Sequence, residues 1–350
     1  MNDGEIKILI VRLSALGDII HTLPLLSAFK ELYPLSHIDW IVEDKASAFL
    51  RNNPLINSLF VIPKKRWKKR KNKIRNFLEF FALVKKIRKT EYDIVIDVQQ
   101  LFKSGLYVML SKGKRKIAQE GGREFSTIFS NEIIKTDCPI FDTNYHVVQR
   151  NLDIARYLGW KGDKINFPLP EVSDEIKLKA DELLKELDPN KPVLVLSPST
   201  TWNNKHWLNE NWAELIRTFS DKANIVITAS SGDIALTSEI ISLSGKKVLD
   251  LTGKTNLKEL REVLSRADIV VSPDSGSAHI SWAVQKPKVV TLFFSTSKNR
   301  TAPFGEGYFS VQSKEPCSPC MKRKCSFKTD SCRKGIDISE IISIVNNLLT

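Results

Sequence analysis

The stretch Ile6-Lys-Ile-Leu-Ile-Val11, followed directly by Arg12-Leu-Ser-Ala-Leu-Gly-Asp-Ile-Ile-His-Thr-Leu-Pro24, decides the fold. Its first part is a near-continuous apolar run, the pattern of a parallel strand buried on both faces. The amphipathic stretch from Ile19 to Tyr33 predicts a helix. A strand, a small-residue turn and a helix N-terminus form the place where open α/β sheets hold ligands, outside the carboxyl ends of the strands. This turn carries one acid, Asp18, and one glycine, Gly17. A dinucleotide loop needs G-x-G-x-x-G, which argues against a nicotinamide oxidoreductase. The turn is suited to holding a carboxylate in a cleft.

Strand and helix patterns alternate along the whole chain, which predicts α/β layers with mainly parallel sheets. In the first half the expected strands are Lys7–Leu13, His37–Val42, Ser58–Ile62 and Tyr92–Asp97. The expected helices there are Ile19–Tyr33, Lys45–Asn52, Ile74–Lys89, Phe102–Leu110 and Tyr145–Leu158. After a charged helix, Asp188-Pro-Asn-Lys-Pro192 reads as a linker, and the pattern restarts. Strands are expected at Val193–Leu196, Asn224–Thr228, Lys247–Leu249, Ile269–Ser272 and Lys288–Leu292. Between them lie helices at Asn211–Ser220, Ile234–Ser244, Leu257–Ser265 and Ala278–Val284, and Ile338 to Leu349 forms a terminal helix. Two doubly wound halves, 1–185 and 186–335, would then face a central cleft.

The 350 residues suffice for two domains with sizeable cores. No apolar stretch reaches the roughly 18 residues of a membrane span, and the N-terminus lacks signal-peptide zones, which predicts a cytoplasmic protein. The net charge of +13 is concentrated in Lys64-Lys-Arg-Trp-Lys-Lys-Arg-Lys-Asn-Lys-Ile-Arg75. Such a run suits a polyanion, whether an anionic lipid surface or a phosphorylated glycolipid, or it is a solvated loop. No nucleic-acid partner is expected, because no recognised binding module accompanies the run.

Three clusters at strand ends could carry chemistry. Asp18 is either a helix N-cap or a general base. In Ser197-Pro-Ser-Thr-Thr-Trp-Asn-Asn-Lys-His-Trp207, the hydroxyls of Thr200 and Thr201 and the charge of Lys205 suit a phosphate; the alternative is an ordinary turn with core tryptophans. In Ser272-Pro-Asp-Ser-Gly-Ser-Ala-His279, Asp274 resembles an N-cap, Ser275 and Gly276 offer N–H groups to a diphosphate, and His279 follows one turn later, as ligand contact or structural residue. Together the clusters point to a nucleotide-linked substrate. Metal assistance is not expected, since the sequence contains no Asp-x-Asp pair. Cys317-x2-Cys320-x4-Cys325-x6-Cys332 forms a separate group, a candidate structural zinc site or a set of reduced or reversibly oxidised thiols, with no catalytic role indicated.

Arg12–Pro24, Asp39-Trp-Ile-Val-Glu43, Tyr92-Asp-Ile-Val-Ile-Asp97, Lys103-Ser104, Lys205-His-Trp207 and Asp274–His279 together resemble the family 9 glycosyltransferases, the ADP-heptose:lipopolysaccharide heptosyltransferases. Asp39–Glu43, the basic Lys65–Lys69 and His146 are most similar to the enzymes adding the first heptose to Kdo. The cysteine-rich tail is similar to that of the second heptosyltransferase. The resemblance implies a GT-B fold with an N-terminal acceptor domain, a C-terminal nucleotide-sugar domain and a final helix, 336–350, crossing back toward the first domain. It implies inverting, metal-independent transfer of heptose from ADP-heptose to Kdo-lipid A, at the cytoplasmic face of the inner membrane. Asp18 would be the base. Thr200, Thr201, Lys205, Asp274, Ser275, Gly276 and His279 would hold ADP, with Ser275 where a threonine is common. Lys65, Arg66, Lys68, Lys103, Arg123 and His146 would meet the anionic acceptor. Another nucleotide-sugar GT-B transferase and a non-catalytic polyanion-binding protein are the competing readings.

Overall fold

The computed structural model describes residues 5–70, 72–136, 138, 142–329 and 331–350; Lys71 of the basic run and the first four residues of the N-terminus lie outside them. The chain forms two compact units, Met1–Glu171 and Val172–Thr350. In the first, strands β1 (Lys7–Val11), β2 (His37–Glu43), β3 (Ser58–Ile62), β4 (Glu91–Asp97), β5 (Lys112–Gln119) and β6 (Glu132–Ile134) alternate with helices α1 (Leu16–Ile20), α2 (Leu23–Leu32), α3 (Asp44–Leu50), α4 (Lys64–Lys69), α5 (Lys73–Ile87), α6 (Phe102–Leu110) and α7 (Val147–Tyr157). In the second, α8 (Asp174–Leu184) precedes β7 (Val193–Leu196), α9 (Asn209–Phe219), β8 (Asn224–Ile227), α10 (Ile234–Ser244), β9 (Leu249–Asp250) and α11 (Leu257–Ser265). Then come β10 (Ile269–Pro273), α12 (Gly276–Val284), β11 (Lys288–Phe293), α13 (Lys298–Thr301), β12 (Tyr308–Gln312) and α14 (Ile338–Leu349).

Both sheets are six-stranded, ordered β3-β2-β1-β4-β5-β6 and β12-β11-β10-β7-β8-β9. Every strand pair is parallel. Each sheet therefore reverses direction of growth once, between β1 and β4 and between β7 and β10. Those two switch points are where doubly wound folds open a crevice for ligand.

Three strands were not visible in the sequence. The first half of β5, Lys-Gly-Lys-Arg-Lys, is charged and largely solvent-exposed, and only Ile117, Ala118 and Gln119 are buried. Ion pairs carry its polar face: Lys114 to Asp93 at 2.8 Å and Arg115 to Glu132 at 2.6 Å. Strands β6 and β12 lie at sheet edges, where apolar patterning weakens. The expected long helix after β1 is broken at His21-Thr22 into α1 and α2, with Pro24 in the first turn of α2, the helix position proline tolerates. The basic run, whose bland reading was a loop, is helical in α4 and again from Lys73.

The first core gathers Leu9, Val11, Ile41, Val95 and Val108 with Tyr92 and Tyr107. Gly105 lets α6 approach the turn Ser126–Phe129, because a Cβ there would overlap the Phe129 ring. In the second core Trp207 and Trp212 are fully buried and meet edge to face at 5.4 Å, so both tryptophans are structural. Helix α8, expected in the first domain, packs on α11 in the second unit. Helix α14, expected to return toward the first domain, packs on α9 and β11 and buries Ile341 and Val345 in the second core. Its N-cap Asp337 accepts the Ser339 N–H at 2.9 Å. Replacing Ile341 by Ala should therefore lower unfolding free energy by about 2–5 kcal/mol in urea titrations. A loss below about 1 kcal/mol would mean that this core does not hold the helix.

Candidate active site

In the first unit the polar groups collect on the loops after β1, β2, β4 and β5. Arg12 leaves β1 and ties the β1–β4 switch together: one guanidinium nitrogen donates to the Val98 carbonyl at 2.7 Å, and the other meets Asp18 Oδ1 at 2.9 Å. The second Asp18 oxygen accepts the Ala15 N–H at 3.1 Å. Asp18 is thus the third residue of α1 rather than its N-cap, and its carboxylate folds back on the N-cap N–H, at the favourable end of the helix dipole. Its side chain is 43% exposed, so a substrate can reach it. Gln99, from the loop after β4, accepts the N–H groups of Leu13 and Ser14 at 2.8 and 3.1 Å. The turn that carries Asp18 is therefore pinned from the neighbouring strand.

Beside it, Lys103 lies 3.0 Å from Glu43 and 3.3 Å from the Ser14 hydroxyl, while Lys64 reaches Glu43 at 2.8 Å. Two lysines converge on one buried carboxylate. Neither Arg12 nor Glu43 had a role in the sequence reading, since the bonds of Arg12 to Val98 and of Glu43 to Lys103 join segments distant in sequence. On α4, Lys65, Arg66 and Lys68 are exposed, but Arg66 is engaged by Glu79 at 2.8 Å. Hydrogen bonds from Arg70 and from the Trp67 indole hold the Glu79 carboxyl down at about 2. Arg123 is exposed on the loop after β5, its N–H donating to the Gln100 carbonyl at 3.1 Å. Gln100, Glu124 and Phe125 on these loops adopt left-handed backbone, φ 54°, 54° and 58°, a strain that gathers at functional sites. His146 is the N-cap of α7, its Nδ1 accepting the Val148 N–H at 3.2 Å, with its ring 6.1 Å from that of His21, the C-cap of α1.

Asp97 lies beneath this surface. It accepts the N–H groups of Gln99 and Gln100 and the Ser104 hydroxyl at 3.1, 2.8 and 3.1 Å. Burial outweighs those bonds and pushes its carboxyl up to about 6. Asp39, from the same family-like motifs, also turns inward and accepts the Tyr92 hydroxyl at 2.7 Å. Asp97 supports the loop after β4, while Asp39 ties the starts of β2 and β4 together at the other end of the sheet.

In the second unit, Lys205 and Asp274 bridge the β7–β10 switch at 2.7 Å, both almost fully buried. His279 Nε2 donates to the other Asp274 oxygen at 3.1 Å. Burial disfavours the Asp274 charge, yet Lys205 and His279 overcome it and hold the carboxyl well below the usual range. Lys205 also sits 5.1 Å from the Trp202 ring centre, within cation–π range. Ser275 is the N-cap of α12 and shares a 2.8 Å hydrogen bond with Ser272, and Gly276 opens the helix. Thr201 is exposed, while the Thr200 carbonyl accepts from His206 at 3.0 Å. Asp233, left outside the expected site, opens α10 after β8 and accepts the hydroxyls of Ser199 and Ser230 at 2.6 and 2.5 Å. Burial opposes its charge, but the two hydroxyls lower its carboxyl.

The four clustered cysteines, Cys317, Cys320, Cys325 and Cys332, line one small cavity together with Asn204. Among the described residues no three Cys, His, Asp or Glu side chains are gathered as a metal shell. As they stand the residues do not fit the candidate zinc, and the four side chains are thiols.

Two doubly wound parallel sheets, each with charged groups collected at its switch point, define a ligand-binding α/β protein with a polar site in each unit. The chain belongs to glycosyltransferase family 9, the heptosyltransferases, whose pattern matches residues 80–330. It is 27% identical to lipopolysaccharide heptosyltransferase 1 of Pseudomonas aeruginosa over 95% of this chain and 91% of that one. Its fold matches a family 9 glycosyltransferase from Veillonella parvula with TM-score 0.81 at 19% identity, covering 100% of this chain and 98% of that one. It matches the Escherichia coli heptosyltransferase WaaC with ADP with TM-score 0.75 at 21% identity, covering 98% and 100%.

The raised carboxyl of Asp97 has a definite pH signature. Between the unfolded value near 3.8 and the folded value of about 6, the native state keeps a proton that the unfolded chain has lost. Stability from this group is complete below that window and is lost as pH rises through it, by roughly 3 kcal/mol. Asp97→Asn should remove that decline, measured as the difference between wild-type and variant unfolding free energies at pH 4 and pH 7. Parallel pH profiles would refute it.

Proposed function

We propose that the chain transfers L-glycero-D-manno-heptose from ADP-heptose to the Kdo/lipid A inner core, with inversion and without metal. The observation that carries this reading is the exposed carboxylate of Asp18, clamped by Arg12 at 2.9 Å beside a cationic loop surface. The acceptor hydroxyl attacks the anomeric carbon; its proton passes to Asp18 as the new C–O bond forms. The bond from that carbon to the diphosphate oxygen breaks, and ADP leaves with the electron pair. Negative charge growing on the diphosphate meets Lys205 and the N-terminus of α12, where Ser275 and Gly276 present N–H groups. Thr200, Thr201 and His279 complete that donor set.

Lys65, Arg66, Lys68, Lys103, Arg123 and His146 are assigned to the acceptor. The exposure of Lys65, Lys68 and Arg123 supports contact with an anionic sugar acid. Lys103, next to Ser14 and Glu43, would orient the acceptor beside the turn of Asp18. A phosphorylated glycolipid acceptor places the reaction at the cytoplasmic face of the inner membrane, where the protein acts as a peripheral enzyme. Within the family we assign the first heptose addition, on the resemblance of Asp39–Glu43, Lys65–Lys69 and His146; the second heptosyltransferase reaction is the competing subtype. ADP in the WaaC structure supports ADP as the nucleotide.

The decisive assay crosses ADP-heptose and other nucleotide-sugars with Kdo-lipid A and with heptosylated acceptors, and no product from ADP-heptose would end the proposal. Asp18→Ala should lower kcat by about 10²–10⁴-fold while leaving ADP affinity intact, since general-base help is of that size; unchanged turnover would remove Asp18 as base. Lys205→Ala should weaken both ADP binding and turnover. It also strands the Asp274 charge in the interior, at a cost of about 3–5 kcal/mol in stability. The double variant Lys205→Met, Asp274→Asn separates the two effects: it should recover stability but not ADP affinity in calorimetric titration.

A further inference from the structure

Helix α5 carries two apolar faces, and the fold uses one. Phe80, Leu83, Val84 and Ile87 pack into the first core, with Phe80 5.6 Å from Tyr107. Ile74, Phe77, Leu78 and Phe81, spaced i, i+3, i+4 and i+7, form a second stripe that is 75%, 60%, 62% and 47% exposed. Phe77 and Phe81 stack edge to face at 4.5 Å, so the stripe is ordered as a ridge. A contiguous apolar ridge of this kind marks an interaction surface.

The surrounding charge identifies what the ridge meets. Exposed Lys68, Lys69 and Lys73 precede it, and exposed Lys85 and Lys86 follow it. The acid on the same helix, Glu79, is engaged by Arg66 and Arg70 at 2.8 Å each. An apolar ridge inside a cationic border is complementary to an anionic lipid bilayer, where rings enter the acyl boundary and lysines meet headgroup phosphates. Among the described residues no helix is long and apolar enough to cross a membrane, so an element of this type lies in the interface plane. The helix packs on β3, and α4 beside it delivers Lys64 to Glu43, the carboxylate that also holds Lys103.

We propose that α5 is a membrane-docking helix, inserting Ile74, Phe77, Leu78 and Phe81 into an anionic bilayer and thereby presenting the loops around Asp18 to a lipid-borne acceptor. The second half of that statement rests on the acceptor reading above; the docking does not. The test is co-sedimentation of the full chain with vesicles of phosphatidylcholine alone or mixed with phosphatidylglycerol, free of any acceptor lipid. Wild type should partition onto the anionic vesicles at least tenfold more strongly than onto the neutral ones. Phe77→Ser with Phe81→Ser should weaken that partition at least tenfold, and Phe77→Ser alone, whose ring is 60% exposed, should weaken it with unchanged thermal unfolding. Lys85→Glu with Lys86→Glu should weaken it as well, and added salt should reduce the wild-type binding.

Equal sedimentation of wild type and the phenylalanine variant, or wild type indifferent to anionic vesicles, would overturn the proposal. So would a wild-type dimer by light scattering that the phenylalanine variant dissociates, which would make the ridge a contact between copies. Transfer to a deacylated, soluble Kdo acceptor scores the reaction separately. Full turnover there by the phenylalanine variant, with loss only on vesicle-borne acceptor, is the expected pattern. Absence of transfer by every form with intact vesicle binding would sink the acceptor reading and leave the docking standing.

Discussion

Each sheet of this protein reverses its direction of growth once, and the chemistry hangs on those two reversals. At a switch point the loops from adjacent parallel strands run to opposite sides of the sheet, so the ends of the strands stay open between them. An open end exposes backbone groups that must find partners. The first unit meets that need with Arg12 on the Val98 carbonyl and Gln99 on the N–H groups of Leu13 and Ser14. The second meets it with the Ser197 N–H on the Val271 carbonyl and the Lys205–Asp274 pair just above. Residues that close the switch thereby become the residues that line it.

Environment then sorts three similar acids into different capacities. Asp97 is enclosed, its carboxyl raised by burial, with all its bonds directed at the loop it supports. Asp274 is enclosed too, but a lysine and a histidine keep it ionised, so its oxygens are occupied and cannot receive a proton at little cost. Asp18 alone of the three combines substantial exposure with a fixed orientation, from Arg12 on one oxygen and Ala15 on the other. A general base needs reach as well as basicity. On that criterion the position of Asp18 matters more than its identity as an acid.

How much of this was legible in the sequence follows the same physics. Strands buried on both faces, such as β1, β7 and β10, announce themselves as apolar runs, and their order forces the doubly wound plan. Strand β5 did not, because its first half is held by ion pairs to Asp93 and Glu132 rather than by burial. The motif residues Asp18, Lys205 and Asp274 stood out because each follows a legible strand. The bond of Arg12 to the Val98 carbonyl, the sharing of Glu43 by two lysines and the contact of Asp233 with Ser199 are contacts across long sequence separations, for which local pattern carries no signal. The break between α1 and α2 was readable from Pro24, yet the periodicity of Ile19–Tyr33 runs through it and masks it.

The two sites also handle charge in opposite ways, and the proposed reaction gives that contrast a reason. In the second unit the cation is buried, paired and flanked by the Trp202 ring, a preorganised arrangement that needs little reordering when a diphosphate departs. In the first unit Arg12 is buried against Asp18, but the cations of α4 are exposed on long side chains, which suits a large anionic acceptor met from solvent or a lipid surface more than a transition state. Electrostatic stabilisation is strongest where water is excluded, which is the reason the proposed reaction sets the leaving group against Lys205. Acceptor capture needs range and adaptability instead, and in the proposed reaction the exposed lysines of α4, with Lys103 at the start of α6, supply them. In the proposed reaction the exposed cations of the first unit gather substrate, while Lys205, the one buried lysine among the described residues, meets the charge that develops.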